Sequence, residues 1–117
     1  MKKILALFSF VLCTSGAFAA TGTLSGVTVS KMIVAESRFG GCMIMLSKPI
    51  STALPSCPDQ WLTLACDGSL DNSVARAMQK WDTAQLAYAL GKEVLVVANN
   101  QKTANGYWFA DIVRLEP

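Results

Sequence analysis

From Val27 to Val34 the chain reads Val-Thr-Val-Ser-Lys-Met-Ile-Val, a run rich in β-branched side chains. Such residues suit a pleated, half-buried surface, so the run predicts a first strand, and residues 21 to 26 predict a loose approach to it. Glu36 to Gly41 closes on a Gly-Gly pair, a turn signal. Cys42 to Leu46, Cys-Met-Ile-Met-Leu, is apolar at every position and predicts a second strand buried on both faces. Pro49, Pro55 and Pro58 remove backbone donors across residues 48 to 59 and predict a loop. From Gln60 to Cys66 polarity alternates, with Leu62, Leu64 and Cys66 on one face, which predicts a third strand.

The period then changes. Val74, Ala77, Met78, Trp81, Ala84 and Tyr88 recur at three- and four-residue spacing and predict one amphipathic helix with those side chains as its buried stripe. Asp71, Asn72 and Ser73 are all capable N-caps, and Gly91 suits the left-handed residue after the last turn. Glu93 to Ala98 predicts a fourth strand, residues 99 to 106 a polar loop, and Tyr107 to Leu115 a fifth strand. The order is β-β-β-α-β-β, mainly β with one helix between strands three and four. That is the order of the five-stranded OB-fold barrel. An open α+β sheet covered by one helix uses the same elements and is the alternative.

The N-terminus changes the charge. Lys2 and Lys3 precede an apolar run from Ile4 to Cys13, and Ala17-Phe18-Ala19 places small residues at the positions a signal peptidase reads. Residues 1–19 therefore predict a cleaved leader, and residues 20–117 a single exported domain, periplasmic or secreted. The run is too short to span a bilayer, so no membrane insertion is expected after cleavage. Without Lys2 and Lys3, the ten basic residues become eight, against eight acidic ones. A near-neutral domain gives no electrostatic reason to bind nucleic acid.

Export also sets the redox context. Cys13 leaves with the leader, so Cys42, Cys57 and Cys66 remain, and an odd number leaves one thiol over. If residues 60 to 66 are extended, Cys57 and Cys66 stand on the order of 25 Å apart, too far to bond. An antiparallel hairpin of strands two and three that matches Lys48 with Gln60 instead sets Cys42 opposite Cys66. A Cys42–Cys66 disulfide and a free Cys57 are the expectation. Cys57 would then lie near Tyr107 and Trp108, as an inert thiol under an aromatic ring or as a tether to a partner. No Lys, Arg or His adjoins it in sequence to activate a thiolate.

The "CP..W..L.C" stretch from Cys57 to Cys66, "AQLAYALGK" from Ala84 to Lys92 and "NGYWFADI" from Asn105 to Ile112 resemble a group of small exported proteins of Gram-negative bacteria whose activity is uncharacterised. The resemblance covers most of the exported part. It implies a cysteine where this chain has Trp108, and hence a second bridge from Cys57 to strand five that Trp108 forecloses. At the level of fold alone the layout resembles the B subunits of AB5 toxins, exported OB-folds that form pentamers and bind glycans. Fold does not by itself carry function.

Chemistry is mostly excluded. The chain has no histidine, which removes Ser-His-Asp and Cys-His catalysis and most zinc sites. Gly40-Gly41 and Gly68 lack the context of a phosphate loop. Asp59, Asp67 and Asp71 do not follow calcium-loop spacing, and Asp67 and Asp71 serve better as caps or turn residues. No enzyme, cofactor or metal is expected. What remains is a binding module for glycan or peptide ligands, or a partner protein: an inhibitor, an immunity-type protein or a subunit of an assembly. Trp61 stands opposite Leu62 and Leu64, and Trp108 opposite Tyr107 and Phe109, so these rings are candidates for an exposed binding face, with core packing as the competing reading. Asn99, Asn100 and Asn105 are candidate hydrogen-bonding neighbours for such a ligand.

Overall fold

The protein is described by a computed structural model that places residues 20–54, 60–70 and 73–117. Its strands are β1 (Thr21–Val34), β2 (Cys42–Leu46), β3 (Trp61–Thr63), β4 (Glu93–Ala104) and β5 (Tyr107–Leu115), with one helix, α1 (Val74–Leu90), between β3 and β4. The sheet closes in the order β1-β2-β3-β5-β4, and β4 returns to β1. Every neighbour is antiparallel except β3 and β5, which run parallel with Thr63 opposite Phe109. This is an OB-fold-like barrel. Closure through β1 leaves no room for the open-sheet alternative.

Closure also explains where the strands exceed or fall short of expectation. β1 starts at Thr21 rather than Val27 because residues 21–24 pair with Asn99 to Val96 of β4. Register shifts between Leu24 and Val27 and between Val29 and Lys31 bend it, so that its first half serves β4 and its second half β2. β4 continues to Ala104 through the predicted polar loop, and the connection to β5 is the two-residue turn Asn105-Gly106, with φ of 50° and 84°. Asn-Gly tolerates two consecutive left-handed residues, and polar side chains on the barrel's outside do not oppose a strand. β3 is shorter than predicted, because Ala65 takes φ 49° and turns the chain away.

The hairpin register differs from the predicted one by two residues. Met45 faces Trp61 and Met43 faces Thr63, and the Leu64 amide donates to the Cys42 carbonyl at 3.1 Å. A two-residue slip leaves every side chain on its own face. The turn at Ala65 then brings Cys66 back to Cys42, and the expected disulfide forms with Cα atoms 5.6 Å apart.

The lumen is filled by Leu24, Val27 and Val29 of β1, Ile44 and Leu46 of β2, Leu62 of β3, Val94 and Val96 of β4, and Trp108 and Ala110 of β5. Helix α1 closes one end. The Ser73 hydroxyl caps it by accepting from the Arg76 amide, and Gly91 ends it at φ 63°; Asp71 and Asn72 lie outside the described residues. Its buried side chains are Ala77, Lys80, Ala84 and Ala87. Of the predicted stripe, Val74, Met78 and Tyr88 are exposed and Trp81 is half-buried. The alanines let the helix backbone approach the barrel, so the helix sits rotated away from its larger apolar residues. Among the described residues no helix is long and apolar enough to cross a membrane.

Candidate functional site

Side chains alternate between lumen and outside along each strand. With Ile44 and Leu46 inside, Met43 and Met45 face out. The register then aligns Ile33, Met43, Thr63 and Phe109 in one row across the outer surface of β1, β2, β3 and β5. A neighbouring row holds Lys31, Met45 and Trp61.

The β1–β2 connection folds over these rows. The Ala35 amide donates to the Gly41 carbonyl at 2.9 Å, and the Gly41 amide to the Glu36 carbonyl at 3.2 Å. The Thr63 hydroxyl donates to the Phe39 carbonyl at 2.6 Å and pins the loop to β3. Gly40 is required there. Its φ is 82°, and a Cβ would lie 2.5 Å from the Thr63 Oγ1 and 2.9 Å from the Ala65 Cα. Held in this way, the Phe39 ring meets the Tyr107 ring edge-on.

Between loop and barrel lies a cleft of about 410 Å³ lined by Ile33, Val34, Ala35, Glu36, Phe39, Met43, Trp61 and Tyr107. It sits on the β2–β3 face between the β1–β2 loop and the strand that follows the β4–β5 turn, the region where OB-folds bind ligands. The lining is apolar and aromatic. Among the described residues the one carboxylate at the cleft, Glu36, forms an exposed ion pair with Arg38 at 3.0 Å, so little net charge from these residues faces the cleft. The Arg38 guanidinium also lies 4.7 Å from the Phe39 ring centroid, over the outside of the loop. A smaller hollow of about 230 Å³ lies between α1 and β5 and is lined by polar residues such as Arg76, Gln79 and Asp111.

The predicted site residues separate. Trp61 lines the cleft. Trp108 does not: it is only 6% exposed and packs in the core. The alternation along β5 is as predicted, but Trp108 takes the lumen side, where a small barrel needs a large side chain, and Tyr107 takes the outside. Phe109 also faces out yet is fully covered, with the Lys80 ammonium 4.1 Å above its ring and donating to the Ala110 carbonyl at 2.9 Å. The three asparagines serve the barrel rather than the cleft. Asn99 donates to the Asp111 carboxylate and accepts from the Gln101 amide, each at 2.9 Å. The Asn100 side-chain oxygen accepts from the Ala20 amide at 2.9 Å. Asn105 makes the turn. Cys57 and Asp59 lie outside the described residues, and among those described no cluster of His, Cys, Asp or Glu could hold a metal ion.

Sequence reasoning missed Phe39, Met43, Ile33 and Val34. The available signal for Phe39 was its place just before Gly40-Gly41, where a tight loop carries a ring back over the sheet. Met43 lies in β2, which is largely buried on both faces as predicted; it is only 3% exposed and reaches the cleft because the outer face of β2 is covered rather than open. No protein-family model, curated protein or solved structure matches this chain.

Proposed function

We propose that the protein is an exported, non-enzymatic binding module that holds a glycan or peptide ligand in the cleft over β2 and β3. The observation that carries this reading is the grouping of Trp61, Phe39 and Tyr107 around an apolar hollow on the ligand-binding side of an OB-fold-like barrel. Aromatic rings offer large contact area at low entropic cost, and stack on sugar faces as well as on apolar side chains. The Cys42–Cys66 bond supports a periplasmic or secreted location. The absence of histidine from the sequence and, among the described residues, a single ion-paired carboxylate at the cleft support a binding rather than a catalytic role.

The test is a paired screen of wild-type protein and Trp61→Ala against a glycan array and a peptide array. Ligands that bind wild type and lose binding on Trp61→Ala are expected. An absence of any Trp61-dependent ligand overturns the reading. A second reading, a protein-interaction partner or assembly subunit, rests on a different observation: Val74, Met78, Tyr88 and Leu90 are exposed along α1. Size-exclusion chromatography and pull-down from a bacterial envelope fraction, repeated with Met78→Gln/Tyr88→Ser, test that reading.

A further inference from the structure

The geometry points to an extended peptide as the ligand, added as an extra strand along the open edge of β1 at residues 30–34, with an apolar side chain in the cleft. This rests on the cleft being the ligand site and goes further, to the ligand's chemistry. β1 pairs with β4 only as far as Thr28, opposite Glu93, whereas its pairing with β2 continues to Val34. Beyond Thr28, therefore, β1 has a ladder partner on one side only among the described residues. The direction of its free groups follows from alternation in an antiparallel pair. The Ala35–Gly41 pair is hydrogen-bonded, so Ile33 and Lys31 turn their amides and carbonyls towards β2. Met32 and Val34 turn theirs the other way. Cys42 confirms the phase: it faces Val34, and its carbonyl accepts from Leu64 on the far side of β2.

An unpaired strand edge is a template for another chain, and native proteins usually blunt such edges. Here it carries Ile33, 41% exposed, and Val34, 83% exposed, and both line the cleft. Edge and cleft are thus one surface. A peptide backbone matches the alternating donors and acceptors of Met32 and Val34, and its side chains alternate towards and away from the cleft. A sugar lacks that match, and the asparagines that would serve its hydroxyls are engaged elsewhere. Glu36 is paired with Arg38, so the cleft itself calls for an apolar or aromatic side chain. Lys31 is exposed on the same row-bearing face two residues before Ile33, so the ligand carries a carboxylate two positions from its apolar anchor.

The probes are labelled octapeptides that alternate Val and Thr around one Phe, with Asp or Lys two positions from it. Each is made with free amides and with N-methyl groups on one edge or the other, and binding to wild-type protein is read by fluorescence anisotropy beside a glycan array. The Asp peptide is expected to bind more tightly than the Lys peptide. N-methylation of one edge should weaken it by roughly tenfold or more and of the other edge little, because only one edge meets β1. Val34→Pro, which removes an outward amide at a solvent-facing edge, should weaken it similarly. Trp61-dependent glycan binding without peptide binding overturns the peptide assignment and leaves the cleft reading intact. Trp61-dependent peptide binding indifferent to both N-methylation patterns overturns the added strand. Binding of neither class overturns both.

Discussion

The ring of Phe39 meets the ring of Tyr107 at 5.7 Å between centroids and 68° between planes, and this contact joins the β1–β2 loop to the first residue of β5. Edge-on aromatic pairs contribute about 0.5–1.5 kcal/mol beyond the area they bury. A double-mutant cycle of Phe39→Leu and Tyr107→Leu, followed by urea denaturation, should return a coupling within that range. Coupling near zero would mean that Thr63 and Gly40 hold the loop without help from the rings.

Gly40 and Gly106 separate two effects that glycine usually combines. Both have positive φ, 82° and 84°, but a Cβ at Gly106 meets nothing within 4 Å, whereas at Gly40 it collides with Thr63 and Ala65. Gly106→Ala should cost only the left-handed penalty, about 1–2 kcal/mol. Gly40→Ala adds displacement of the loop, so its loss should be larger by at least about 1 kcal/mol, and ligand binding should fall with it. Equal losses in chemical denaturation would show that the loop yields freely.

The barrel was legible because its signals are local. β2 and β5 fall where the apolar runs place them, and the single helix between β3 and β4 selects the strand order. The cleft was less legible because it depends on which face of each strand turns inward. Alternation fixes that Trp108 and Tyr107 oppose each other, but which of them fills the lumen depends on the volume left by the other four strands. Phe39 reaches the cleft only through a loop whose path depends on the Thr63 hydroxyl, far away in sequence. The one-sided pairing of β1 beyond Thr28 among the described residues was hidden for a similar reason: it depends on how the barrel closes.

Helix α1 shows the same limit and gives a direct test. Its apolar period is real, but the alanines decide which side is buried. Ala84 is fully buried, and Tyr88 is 52% exposed. Ala84→Leu should cost about 1–3 kcal/mol or more by forcing the helix off the barrel. Tyr88→Ser should change stability by no more than about 0.5 kcal/mol. The reverse order in thermal melts would restore the stripe read from sequence as the buried face.

The Cys42–Cys66 bond spans a sequence separation of 24, for which the chain-entropy model gives roughly 3 kcal/mol. Cys42→Ala and Cys66→Ala should each lose about that much, and the double variant little more than either, because both remove one cross-link. Reduction of the wild type by a thiol should lower its denaturation midpoint to near that of the variants. Fully additive losses would mean that the two side chains stabilise the fold independently of their bond.

Glu116 ties the end of the chain to β1. Its carboxylate accepts from the Gly26 amide at 2.9 Å and from the Ser25 hydroxyl at 2.7 Å. The Gly26 bond first, then the Ser25 bond, with help from the charge of Arg114, hold its pKa below the ordinary carboxylate value. A pKa lower in the folded state than in the unfolded one means that the unfolded chain binds the proton more readily. The stabilisation is therefore complete above the unfolded pKa and lost as pH falls through the folded one. Glu116→Gln keeps an acceptor oxygen but removes the charge, so it should be less stable than wild type near neutral pH. The gap should close as the pH is lowered past both values, where wild type is protonated as well. Urea midpoints of the two proteins measured across that range decide the matter. A gap that persists unchanged in acid would assign the stabilisation to the shape of the side chain rather than to its charge.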